Sequence, residues 1–402
     1  MIIFTIAIVV VTYAGVAIGN VPGLRMNRAT IALVGAAALI AVGSIQQEEA
    51  FAALDVGTLL LLASMMVINA NLRLSGFFEL VGGRVLEFAK SPRMLLAAVI
   101  LASGVLSALF LNDTICLLFT PLVVDLTTRL KRDPIPYLIG LATATNVGST
   151  ATITGNPQNL IIGQASGIPY LTFLTHLAPI ALIGMGVCWV VIVLVFPQEF
   201  QGTLPPIEVE APQIFQPLLW RALAVVAGLL VAFLIGLPIV SSACVAAGLL
   251  LISRIRPHKL LDIDWGLLAF FGGLFVVTGA IEVTGLSKDL FDAISPVIRG
   301  GVGPLSVATA ALSNVISNVP AVLLLRSEMD ALANPQQGWL TLAMSSTLAG
   351  NLTLLGSAAN LIVAEIAATR GVKLTFMAYL RAGVPITLIT ITLGVLWLTF
   401  IG

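Results

Sequence analysis

Charged side chains are scarce in this 402-residue chain. Asp, Glu, Lys and Arg make up 9% of it, against roughly a quarter in soluble proteins. With 19 basic and 19 acidic residues the net charge is zero, so there is neither a basic field for nucleic acid nor an acidic tail. The three cysteines, Cys116, Cys188 and Cys244, lie inside apolar segments without paired spacing and read as small buried hydrophobes. There are two histidines and no cluster with metal-ligand spacing, so no cofactor is expected beyond a coupling ion such as Na+ or H+. An intramembrane enzyme would need paired carboxylates, a Ser–His or Ser–Lys arrangement or facing metal ligands, and Asp113 has no obvious acidic partner at its depth, so an enzyme is not expected. No basic region precedes the first apolar segment and no small-x-small site follows it, so it reads as a retained span.

What fills the chain is hydrophobic residue, 58% of the total, in runs of bilayer-spanning length. Hydropathy predicts spans near 2–19, 29–45, 55–73, 135–166, 170–196, 217–235, 238–253, 264–283, 338–369 and 376–401. Two further apolar blocks, 94–130 and 304–333, fold back at a polar tip. Amphipathic stretches at 76–90 and 286–299 precede those blocks and suit the membrane interface. The proline-rich segment 197–216, with Glu208 and Glu210, reads as a linker between an N-terminal repeat (1–196) and a C-terminal repeat (217–402). A cytoplasmic first loop leaves only Lys288, Arg299 and Arg326 of the 19 basic residues outside. The positive-inside rule therefore places both termini on the extracytoplasmic side of a cell inner membrane.

The halves echo each other. Asp55-Val-Gly57 and Asp264-Trp-Gly266 open the third and eighth spans, 209 residues apart. Leu106-Ser107 leads to Asn112 as Leu312-Ser313 leads to Asn318, at a separation of 206. Gly155…Asn159-Leu160-Ile161 matches Gly356…Asn360-Leu361-Ile362 at 201. Each half holds an odd number of crossings, so the second copy must be inverted. The expected fold is an all-α membrane protein of about ten transmembrane helices in two inverted repeats. Each repeat carries a re-entrant helical hairpin (94–130; 304–333) and a broken helix (135–166; 338–369).

Chemistry concentrates where polar residues interrupt these blocks. The first tip reads Leu109-Phe-Leu-Asn-Asp-Thr-Ile-Cys116 and the second Leu312-Ser-Asn-Val-Ile-Ser-Asn-Val-Pro-Ala321. Two full spans joined by an exposed turn preserve the same topology. A re-entrant tip is favoured, because freed backbone at mid-depth is tolerated beside a cavity. Glycine and proline within 144–159 and 349–360 break the helix and free backbone groups. Packing through small residues accounts for the glycines but not for the asparagines. Asp113, at the first tip, is expensive there unless protonated, paired or cation-bound, and is the proton-carrier candidate. Glu365 reads as an interfacial residue beside Arg370, Asp125 as a partner of Arg129 one turn away, and His176 and His258 as loop or interface residues.

These segments resemble the ion transporter superfamily, which includes divalent anion:sodium symporters, arsenite permeases, citrate transporter-like proteins and a class of sodium/proton antiporters. The order of hairpin, broken helix, linker, hairpin and broken helix covers nearly the whole chain. In the dicarboxylate symporters, Ser-Asn-Thr tips and Gly-Thr-Pro-Pro-Asn loops hold carboxylate and sodium. Here the tips read Asn112-Asp113-Thr114 and Ser317-Asn318-Val319. The loops read Gly155-Asn156-Pro157-Gln158-Asn159 and Gly356-Ser357-Ala358-Ala359-Asn360. The resemblance implies that Asn112, Asp113, Thr114, Ser317 and Asn318 line a substrate cavity. It implies that Asn146, Gly155, Asn159, Asn351, Gly356 and Asn360 shape the adjoining loops and any cation site. It also implies a homodimer whose hairpin-bearing domain moves as an elevator.

The first tip gains an acid and the second lacks a threonine, and Asn-Asp followed by Thr120-Pro121 is closer to the arsenite permeases. The expected function is secondary active transport of an inorganic or small organic anion or oxyacid, coupled to H+ or Na+, with arsenite or antimonite export favoured. A sodium-coupled dicarboxylate, citrate or sulfate symporter is the alternative, followed by a Na+/H+ antiporter and a passive channel.

Overall fold

A computed structural model describes residues 2–19, 26–204, 214–252, 259, 262–285 and 295–401. Among them the first half runs α1 (Ile2–Ile18), α2 (Arg28–Ala41), α3 (Gln47–Ala52), α4 (Val56–Ser75) and α5 (Phe77–Phe88). The hairpin arms α6 (Pro92–Leu109) and α7 (Asn112–Arg129), the half-helices α8 (Pro134–Ser149) and α9 (Pro157–Ser166), and α10 (Tyr170–Val195) follow. The second half opens with α11 (Gln216–Leu234), α12 (Ile239–Leu251) and α13 (Trp265–Val283). Its hairpin is α14 (Val302–Ile316) and α15 (Asn318–Leu325), extended by a 3-10 turn (Arg326–Ala331). The half-helices α16 (Pro335–Ala349) and α17 (Ala358–Thr369) and the final α18 (Phe376–Ile401) complete it. The protein is all-α, two inverted repeats each with a re-entrant hairpin and a broken helix.

Helix lengths follow these roles. Six helices among the described residues are long and apolar enough to cross a bilayer: α4, α6, α10, α11, α13 and α18. Length alone misassigns α6. It stops at Leu109, and the chain turns back within two residues because the Asn112 backbone N–H is bound by the carbonyl of Gly155 (2.9 Å). That carbonyl lies in the middle of the broken helix, so the hairpin tip ends level with the break.

The breaks are written in capping residues. Asn156 precedes Pro157, adopts extended backbone and accepts the Asn159 N–H (2.8 Å), as a residue before proline and an N-cap both require. Ser357, also in extended backbone, caps α17 by accepting the Ala359 N–H (3.3 Å). The inner half-helices α8 and α16 are buried almost throughout. Large apolar side chains are exposed on outer helices, among them Phe4, Leu182, Trp220 and Phe400, as a lipid-facing surface needs.

The two halves interlock. Helix α2 packs along α13 while its counterpart α12 packs along α4. Hairpin arms α6 and α14 pack on their own broken helices through α8 and α16, while α7 crosses to α17 and α15 to α9. Helix α5 matches the expected amphipathic stretch at 76–90. Most of its expected counterpart, residues 286–294, and the middle of the linker, 205–213, lie outside the described residues, as does His258.

One minor reading is corrected and another narrowed. Asp125 forms an ion pair with Arg370 (2.5 Å), tying the end of α7 to the end of α17 rather than staying within one helix. His176 is a half-buried residue of α10 with Nδ1 2.7 Å from the Thr172 carbonyl, which removes the loop alternative of its loop-or-interface reading and leaves the interface one. A histidine at that spacing bonds the preceding helical turn.

Candidate functional site

The four half-helices meet through a side-chain network that repeats across the two halves. Asn159 Nδ2 donates to the carbonyls of Ser149 (3.1 Å) and Thr152 (2.9 Å). Asn360, 201 residues on, donates to Gly350 (2.8 Å) and Thr353 (3.1 Å), each 201 residues beyond the first pair. Each break is also closed by the other half. Asn146 Nδ2 donates to Asn360 Oδ1 (3.1 Å), and its counterpart Thr347 donates to Asn159 Oδ1 (3.5 Å). Ser357 Oγ donates to Asn146 Oδ1 (3.2 Å), answering Asn156 Nδ2 to Thr347 Oγ1 (3.2 Å). Asn351 receives a second Asn146 hydrogen bond (2.9 Å) and donates to the Thr143 carbonyl (3.2 Å). In lipid, each of these freed groups left alone costs several kcal/mol. The asparagines answer them, and Gly155 and Gly356 make room: a Cβ would lie 2.3 Å from the Ser149 carbonyl at Gly155 and 2.9 Å from that of Gly350 at Gly356.

Against this frame sits a small cavity of about 50 Å³. Asn112, Asp113, Ser317 and Asn318 all line it, so both tips reach one space. Four helices begin there: Asn112 opens α7, Pro157 α9, Asn318 α15 and Ala358 α17. Each helix N-terminus carries about half a positive charge, although several first-turn N–H groups are already taken: Asn112 by the Gly155 carbonyl, Asp113 by Asn112 Oδ1, Asn159 by Asn156 Oδ1 and Ala359 by Ser357 Oγ. The convergence suits electronegative oxygens.

A larger cavity of about 560 Å³ adjoins it, sharing Arg28, Asp113, Pro157, Leu267, Phe270 and Ala358. Thr114 lines this outer chamber. Asn146, Asn159, Asn351 and Asn360 line neither cavity; their amides are occupied in the frame.

The charges of the outer chamber come from elements the motifs did not flag. Arg28, in the first turn of α2, lies within electrostatic reach of Asp113 and Glu365. Asp113 in turn senses Arg28 and Asp264. Arg73 Nη2 meets Asp262 Oδ2 at 2.6 Å, with Asp262 exposed at the mouth. Glu365 faces this chamber, and its expected neighbour Arg370 is engaged by Asp125. Two arginines thus face four carboxylates. Asn69 of α4, buried and lining the outer chamber, was also missed. An amide inside an otherwise apolar span was the available signal for Asn69, whereas Arg28 looked like any loop arginine.

Residues 8–349 match the CitMHS citrate transporter family. The chain belongs to that family. Its relatives include the silicon efflux transporter LSI3 of Oryza sativa subsp. japonica, 32% identical over 94% of this chain and 93% of the relative. A 46 kDa membrane protein of Mycobacterium leprae is 31% identical over 100% of this chain and 99% of its own. Among solved structures, the Alcanivorax borkumensis YdaH transporter, described as having an unusual topology, superposes with a TM-score of 0.60 at 16% identity. That match covers 100% of this chain and 97% of that one, and speaks for the fold. The protein is a multi-pass membrane transporter of a small solute.

Proposed function

We propose that this CitMHS transporter moves a small neutral or weakly acidic oxyacid, arsenite or antimonite favoured, out of the cell in exchange for protons or sodium. Four helix N-termini and one carboxylate meeting around a space of about 50 Å³ carry this reading. Helix N-termini stabilise oxygen ligands, and the space has room for a few water-sized groups, each needing about 10–15 Å³ of such a cavity. The surplus of carboxylates over arginines in the outer chamber disfavours a multiply charged anion.

In this assignment Asn112, Asp113, Thr114, Ser317 and Asn318 contact the substrate, and Asp113 carries the proton. Asn146, Gly155, Asn159, Asn351, Gly356 and Asn360 shape the loops and any cation site. The repeats, 1–196 and 217–402 about the linker 197–216, sit in the inner membrane with extracytoplasmic termini. The wide cavity then opens to the cytoplasm, where an exporter loads. A homodimer with elevator motion of the hairpin-bearing domain completes the assignment.

A sodium-coupled citrate or dicarboxylate symporter is the second reading, favoured by the family's description and by carbonyl oxygens without donors in the second hairpin. Flux in proteoliposomes under an imposed proton gradient and then a sodium gradient separates the two. Proton-driven arsenite movement is expected, and Asp113→Asn abolishes it while the protein stays folded in the membrane. Sodium-dependent uptake blocked by succinate overturns the oxyacid reading, and wild-type coupling in Asp113→Asn removes that carboxylate from the mechanism.

A further inference from the structure

Helix α4 contributes Met66, Asn69, Ala70 and Arg73 to the outer chamber, positions three and four apart on one helical face. Asn69 is 3% exposed. Its Nδ2 donates to Thr114 Oγ1 (3.2 Å), which holds the amide against the first hairpin. Its Oδ1 has no donor among the described residues. A buried amide carbonyl without a donor is a cost the fold bears in this state.

The same chamber holds the reverse imbalance. The Arg28 guanidinium faces it, and no hydrogen bond or ion pair of that group is formed among the described residues. A guanidinium has five N–H donors and no acceptor. The Thr114 hydroxyl accepts from Asn69, which leaves its own hydrogen available to an occupant. Beside donors that lack an acceptor, the wall of the chamber thus holds an acceptor that lacks a donor, the Asn69 oxygen, which is closed to solvent in this state and is reached only if the side chain shifts. A solute carrying only ionised oxygens satisfies the donors and leaves Asn69 unmatched. A solute with hydroxyl groups satisfies both.

We propose that Asn69 is a substrate-binding residue that selects the protonated, hydroxyl-bearing form of an oxyacid. Its Oδ1 accepts the hydrogen of a substrate hydroxyl, while Thr114 and Arg28 donate to the substrate's oxygens. This rests on the oxyacid reading above and adds the residue that reads protonation. A site built around a substrate hydrogen bond rejects the analogue lacking it, because the buried partner is left unpaired.

The test uses the full-length protein in proteoliposomes with arsenite, an uncharged triprotic acid at neutral pH, and with citrate. Asn69→Ala and Asn69→Leu are expected to raise the half-saturating arsenite concentration about tenfold, the size of one lost hydrogen bond, with an unchanged maximal rate. Asn69→Asp keeps the acceptor and is expected to stay within about threefold of the wild type on the same scale. Unchanged half-saturation in Ala and Leu variants that melt like the wild type overturns the proposal, and so does a tenfold rise in Asn69→Asp. A wild type that carries citrate and ignores arsenite defeats the oxyacid reading itself. A wild type that carries arsenite through indifferent Asn69 variants defeats this inference alone.

Discussion

The two hairpins occupy equivalent places in inverted repeats, yet they are held in opposite ways. In the first, every buried polar side chain among the described residues has a partner. Ser107 reaches the Thr145 carbonyl (2.7 Å), Thr152 the Ala108 carbonyl, and Asn112 both Gly155 and Asn146. In the second, Ser306, Thr309, Ser313, Asn314 and Asn318 each carry a buried oxygen without a partner. Its tip residue Ser317 has φ +81° and ψ 158°, a region that is essentially glycine's alone. Sequence symmetry therefore hides a division of labour. The first hairpin is a finished wall that presents Asp113, whereas the second stores strain and unmet hydrogen-bonding capacity, as a ligand-responsive element should.

The sharpest way to break this comparison is to add one methyl group to each loop. At Gly155 the new Cβ would meet backbone, the Ser149 carbonyl at 2.3 Å and its Cα at 2.7 Å. Gly155→Ala is expected to cost about 3 kcal/mol or more, the upper range for overpacking, and to deplete folded protein from the membrane. At Gly356 the nearest atoms are the Gly350 carbonyl at 2.9 Å and the Asn314 side chain at 3.0 Å. Gly356→Ala is expected to cost about 1–2 kcal/mol. Melting of the purified variants in detergent measures both, and equal losses erase the asymmetry.

How much of this could be read from residues alone depended on whether the signal lay within one segment. The tips at Asn112-Asp113 and Ser317-Asn318 and the breaks at 150–156 and 350–357 were legible, because polar or small residues inside an apolar block have no cheap place in lipid. Asn69 carried the same signal, an amide inside an apolar span, but nothing in its own segment tied it to the tips, and Arg28 carried none. Arg28 joins the site because α2 packs on α13, a pairing that exists only once the halves interlock, and Asn69 joins it through Thr114 of the first hairpin. Partner choice failed for the same reason: Asp125 had Arg129 one turn away in sequence, but the fold brings Arg370 to it. The strain at Ser317 carries no mark either, since serine there looks like an ordinary turn residue.

Truncating the equivalent asparagines sharpens the comparison by separating stability from binding. Asn112→Ala removes bonds to Asn146 and to the Asp113 N–H; Asn146 Oδ1 keeps its Ser357 donor, but the Asp113 N–H is left unpaired, a cost of about 1–3 kcal/mol. Asn318→Ala removes a carbonyl that has no partner, so its stability is expected to stay within about 1 kcal/mol of the wild type. Its half-saturating concentration of substrate or co-ion is expected to rise about tenfold, because that oxygen gains a partner only on binding. Equal melting losses with unchanged affinity in Asn318→Ala would move the ligand away from the second tip.

The smallest effect is expected at the strained residue itself. Holding a non-glycine residue in this backbone region costs about 1–3 kcal/mol. Glycine relieves that, but gives back about 0.5–1 kcal/mol through the freedom of the unfolded chain. Ser317→Gly should therefore stabilise the protein by about 1 kcal/mol, seen as a modest rise in melting temperature. Ser107→Gly, in the relaxed and fully bonded first hairpin, has no strain to release and should melt lower. If Ser317→Gly melts lower as well, the second tip stores nothing, and its unmet oxygens alone must account for any response to ligand.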